Sequence, residues 1–64
     1  MKYVVTYEVW IGGRLSYRSQ RDVTSTSLRL DRPDEARRIA ADLIRAQIFI
    51  APGSRIVVTD IRPA

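Results

Sequence analysis

Sixty-four residues carrying a formal net charge of +4, with no cysteine and no histidine, leave room for one small domain, residues 1–64, and remove much chemistry at the outset. Disulfides, thiolate–imidazole zinc sites, cysteine nucleophiles and imidazole acid–base catalysis are excluded by inventory. A domain this small buries only about 60% of the surface its unfolded chain exposes, so its margin of stability is slim.

The chain opens with MKYVVTYEVW, whose single lysine is followed by alternation through Thr6 and Glu8 rather than by the continuous apolar region of a signal peptide. No apolar run approaches the ~18 residues that would span a bilayer. The expectation is a cytoplasmic protein with no membrane association. Between Lys2 and Ile11, Tyr3, Val5, Tyr7, Val9 and Ile11 share one parity, and Val4, Thr6, Glu8 and Trp10 the other. This is the period of a β-strand.

Gly12-Gly13 then turns the chain back. A two-residue turn sets Ile11 against Arg14, Val9 against Ser16 and Tyr7 against Arg18, so apolar residues meet polar ones. A three-residue turn, Ile11-Gly12-Gly13, sets Val9 against Leu15 and Tyr7 against Tyr17. It gives one coherent core face and one coherent polar face, and it is the register expected here. Leu15 and Tyr17 then point inward, while Thr6, Glu8, Trp10, Arg14, Ser16, Arg18 and Gln20 point outward.

A turn is expected near Arg21–Asp22, with a third extended segment over Val23–Leu30. The alternative is that this segment continues the second strand through a bulge. The firmest local signal follows in Asp31-Arg-Pro-Asp-Glu. Asp31 suits the N-cap, Pro33 the first turn, and Asp34 and Glu35 the positive end of a helix. Ala36, Ile39, Ala40, Leu43 and Ala46 form its apolar stripe. The helix is expected to run from Pro33 to Phe49 and to stop before Pro52-Gly53. Residues Arg55 to Ile61 return to strand character.

These elements give an α+β fold, a small antiparallel or mixed sheet with one helix packed across it, in the order β-β-(β)-α-β. The helical crossover favours a last strand lying parallel to the first and beside it, in spatial order 3-2-1-4.

Function classes are narrowed more than they are chosen. Asp31, Asp34 and Glu35 are accounted for by capping and by the helix dipole. The hydroxyl run Thr24–Ser27 has no base beside it, and the glycine pair lacks a phosphate-loop fingerprint. The reading is therefore not an enzyme, with no cofactor, metal or small-molecule substrate.

Two binding classes remain. The ten arginines and single lysine suit a polyanion. The glycine-turned hairpin with Trp10, Arg14 and Arg18, followed by Leu28-Arg-Leu-Asp-Arg-Pro-Asp-Glu-Ala36, resembles over residues 3–46 the sheet-reading DNA-binding domains of the plant AP2 type and of phage-integrase arms. That resemblance implies duplex nucleic acid as partner, with Trp10, Arg14, Arg18 and Arg29 as contacts. Glu8 on the same face, the scarcity of lysine and the final strand depart from the pattern. In the other class the chain is a protein-interaction or self-associating module, a homo-oligomer or the ligand of a protein partner. Ile44, Ile48, Phe49 and Ile50 carry apolar character beyond what one sheet face needs, and they are its candidate interface.

Overall fold

The computed structural model describes all residues, Met1–Ala64. Four elements follow one another: β1 (Lys2–Ile11), β2 (Arg14–Thr24), α1 (Pro33–Gln47) and β3 (Arg55–Pro63). The three strands form one antiparallel sheet in the order β2-β1-β3, with the helix across one face, so the fold is α+β in the order β-β-α-β.

β1 is the central strand, and its alternation is literal. Tyr3, Val5, Tyr7 and Val9 are buried, while Val4, Thr6, Glu8 and Trp10 between them are half-buried on the other face. Val23 of β2 and Ile56 and Val58 of β3 extend the covered face sideways. Ala36, Ala40 and Ile44 close it from above. Two alanines one turn apart present small side chains to the sheet, and Ile44 is the large fully buried side chain of the helix. The expected helix stripe is thus displaced. Ile44 is fully buried, whereas Ala46 is exposed.

The hairpin turn corrects the sequence reading. Ile11 pairs with Arg14, so the loop is the two-residue Gly12-Gly13, with both glycines at positive φ, 58° and 78°. Two successive positive φ values are what a type I′ turn requires, and its twist matches that of the strands it joins. The faces are then reconciled inside β2. Trp10 pairs with Leu15 but Val9 pairs with Tyr17, so Ser16 is an extra residue that shifts the register. Tyr17 lies on the helix side, as expected. Leu15 lies with Trp10 on the open face, and Arg14 lies with Ile11 on the helix side, both opposite to expectation.

No turn forms at Arg21–Asp22, and β2 continues to Thr24. The expected third strand over Val23–Leu30 is instead a connecting segment with no strand beyond Thr24. It is fastened from below: Ser25 N–H donates to the Met1 carbonyl at 3.0 Å, and the Tyr3 hydroxyl donates to the Leu28 carbonyl at 3.2 Å. Leu28 is buried there, while Thr26 and Leu30 are exposed. The N-cap is Arg32 rather than Asp31, and its guanidinium, a donor only, makes no cap bond; the Asp31 carboxylate is held by Arg29 at 3.1 Å.

The last strand lies beside β1 but runs antiparallel to it, from Arg55 opposite Trp10 to Pro63 opposite Tyr3. A helical crossover makes the new strand parallel to the strand it leaves, and that strand is β2. β3 runs the same way as β2, and β1 lies between the two. Here the expectation of a parallel neighbour applied the crossover rule to the wrong strand. The helix ends over β2, where Arg21 Nε donates to Gln47 Oε1 at 3.0 Å and Gln47 Nε2 donates to the Asp22 carbonyl at 3.3 Å. From there a loop carries the chain back across the sheet to Arg55. No helix is long and apolar enough to cross a membrane.

Candidate functional site

Two surfaces stand out, one on each side of the sheet. The first is on the open face. Trp10 sits in β1 with Leu15 opposite it on β2 and Arg55 opposite it on β3. Its indole N–H donates to Glu8 Oε1 at 3.1 Å, and Arg18 Nη2 donates to Glu8 Oε2 at 2.7 Å, with a second bond from Arg18 Nε at 3.1 Å. Glu8 and Arg18 are cross-strand partners, so the sheet register itself brings them together.

The Arg18 guanidinium and then the indole N–H hold the Glu8 carboxyl below the usual carboxylate range. Its ionised form in turn fixes the orientation of the indole. Beside Trp10 lies a shallow depression lined by Gly12, Gly13, Gly53 and Arg55. A Cβ built on any of these three glycines meets nothing within 4 Å, so the backbone that lines the depression there is uncovered.

The arginines proposed from sequence do not converge. Arg18 is committed to Glu8, and Arg14 lies on the helix side of the hairpin. Arg29 sits in the β2–α1 connection, bound to Asp31; that contact raises the arginine's pKa and lowers the aspartate's. Six of the seven carboxylates are in ion pairs with arginines, all but Asp22. Lys2, Arg14, Arg21, Arg38 and Arg55 are the cations left without an acidic partner. Of these, only Arg55 lies across the pairing from Trp10. Sequence reasoning missed it because a parallel last strand would have started at the far end of β1.

The second surface is on the helix side. The helix stops at Gln47, and Ile48 is already extended, with φ −124° and ψ 156°. From that point the chain alternates with a period of two. Ile48 and Ile50 pack against the core, while Phe49 between them is 92% exposed. The helix side of the sheet also carries Ile11 and Tyr17, 46% and 43% exposed. The Tyr17 ring meets the buried Tyr7 ring edge-on, with centroids 6.5 Å apart. Of the four interface candidates, Phe49 is open, Ile48 and Ile50 are half-covered, and Ile44 belongs to the core. No group of three or more acidic side chains is placed to hold a metal ion.

No family model, curated protein or solved structure matches this chain.

Proposed function

We propose that this domain is a non-enzymatic interaction module that self-associates through the apolar surface around Phe49. The observation that carries the reading is Phe49 itself, 92% exposed within the uncharged segment Ile48–Ser54. A free phenylalanine in an extended loop is an unfilled knob. Two half-exposed residues, Ile11 and Tyr17, also lie on the helix side of the sheet.

The occupant argued for is a second copy of the chain. Small domains that lack disulfides and metal sites are commonly stabilised by oligomerisation, and this chain has neither cysteine nor histidine. Burying one Phe49 side chain is worth about 1.5–3 kcal/mol, and an isologous contact buries two. The interface is therefore centred on Phe49 and flanked by Ile48 and Ile50.

The duplex-binding reading has weaker support. Of Trp10, Arg14, Arg18 and Arg29, one arginine is neutralised by Glu8, one by Asp31, and one lies on the opposite face from Trp10.

Sedimentation velocity over the micromolar range tests the self-association. The wild-type chain should sediment above its 7.3 kDa monomer mass as concentration rises. Phe49→Ser should stay monomeric, with the unfolding midpoint that wild type shows below its association range. A wild-type monomer throughout the range, or a dimer that survives Phe49→Ser, overturns the reading.

A further inference from the structure

From the other side of the sheet we infer a second site, independent of the Phe49 surface: the depression beside Trp10 and Arg55 binds a nucleotide unit, the base stacked on the indole and the phosphate held by the guanidinium. Three features converge on that ligand class.

The first is the platform. Base–aromatic stacking needs a flat ring that keeps its orientation, and the Trp10 indole is tied at its N–H to Glu8, itself clamped by Arg18. With the N–H satisfied inside the protein, the partly exposed indole meets the depression without a polar demand of its own. The second is the charge. Arg55 is the direct cross-strand partner of Trp10 and makes no ion pair. Directly opposed residues in an antiparallel pair lie about 4.5–5.5 Å apart at Cα. Side chains rooted this close can engage one ligand together, its planar group on the indole and its anion on the guanidinium. A planar fork of N–H donors also suits phosphate oxygens.

The third is access. The turn conformations require glycine at Gly12, Gly13 and Gly53, with φ between 58° and 85°, and their missing side chains leave the wall beside the indole low. No carboxylate lines the depression, and the nearest one, Glu8, has its charge countered by Arg18. The recognised chemistry is an unstacked base with its phosphate, either as a free nucleotide or within a single strand. A duplex keeps its bases stacked on one another and offers no face to the indole.

Trp10 is the only tryptophan, so its emission reports the site directly. The full-length chain is titrated at low ionic strength with oligothymidylate, with adenosine monophosphate and with a blunt duplex. Saturable quenching by the oligonucleotide and the mononucleotide alike assigns a free-nucleotide site; quenching by the oligonucleotide alone assigns a single strand. Arg55→Ala should weaken binding about tenfold or more, the size of losing a charge-assisted bond. Arg38→Ala removes an equally unpaired arginine from the helix and should leave affinity unchanged. Absence of quenching, equal affinity for the duplex, or equal losses in the Arg55 and Arg38 variants overturns the assignment.

Discussion

The two faces of the sheet are ordered by different forces. On the covered face, Tyr3, Val5, Tyr7 and Val9 are at most 5% exposed, and Ala36, Ala40 and Ile44 hold them from above. No charged side chain is buried among them, and apart from the Tyr3 hydroxyl bond to Leu28 their order comes from excluding water. On the open face, Val4, Thr6, Glu8 and Trp10 have no layer above them, and they are only half-buried. What covers them comes sideways, from Arg18 against Glu8 and from Glu8 against the indole. One face is therefore held by packing, which neither pH nor salt touches directly. The other is held by a charged network, which both do.

The comparison breaks most sharply in the core. Ile44→Ala removes the large fully buried side chain of the only helix. Such a truncation costs about 2–5 kcal/mol, a large share of what a domain of this size has. Urea unfolding followed by circular dichroism should show the midpoint collapsing or the transition disappearing. A loss below about 1 kcal/mol would mean that the helix is not what closes this face.

The next largest effect belongs to the turn that sets both faces. Gly13→Ala places a Cβ at φ 78° in open space, so its cost is conformational rather than steric. About 1–2 kcal/mol is expected, the penalty of left-handed backbone for an L residue. Chemical denaturation of this variant beside Ser16→Ala separates the turn from the bulge, since Ser16 is exposed and should change stability little.

What was legible from sequence divides along the same line. The inner stripe of β1 is readable because one-sided burial writes a period of two into Tyr3, Val5, Tyr7 and Val9. β2 carries no such stripe. Its parity switches at Ser16, and a bulge has no composition of its own. Strict alternation forced a choice between a two-residue turn with mismatched faces and a three-residue turn with matched ones. The chain takes the short turn and corrects the faces four residues later.

The extended segment expected over Val23–Leu30 misled in another way, because beyond Val23 only Leu28 is buried, held by Tyr3 in an irregular segment. Phe49 was legible as surplus apolar character, although the reason for its exposure, the switch from helical to extended period at Ile48, was not. Arg55 depended wholly on the direction of β3, which no local pattern encodes.

A smaller effect sharpens the open face. Glu8 has a depressed pKa in the folded chain, chiefly from the Arg18 hydrogen bonds and then from the indole N–H. The folded chain therefore binds fewer protons than the unfolded one between the two pKa values. The stabilisation is fully present above the unfolded value, about 4.3 for glutamate, and is lost as pH falls through the lower folded value. Glu8→Gln should be less stable than wild type at neutral pH, with the gap closing on acidification. The Arg29–Asp31 pair titrates in both proteins and cancels from the difference. A gap independent of pH would show that the Glu8 charge contributes nothing.

The smallest effect is expected where two neighbours in sequence meet opposite environments. Ile50 packs partly against the core, and Phe49 stands clear of it. Hydrophobicity alone predicts the larger loss for Phe49→Ala, because the phenyl ring is the bigger apolar group. Burial reverses that order. A ring that is 92% exposed is as wet in the folded monomer as in the unfolded chain, so truncation removes almost no transfer free energy. At concentrations below any association, Phe49→Ala should lie within about 0.5 kcal/mol of wild type, as surface substitutions do, and Ile50→Ala should be clearly less stable. Raising the protein concentration then separates them again. Wild type should gain stability by mass action, Ile50→Ala should keep most of that gain because Ile50 only flanks the contact, and Phe49→Ala should show none, because the side chain that does nothing for the monomer is the one the second copy covers.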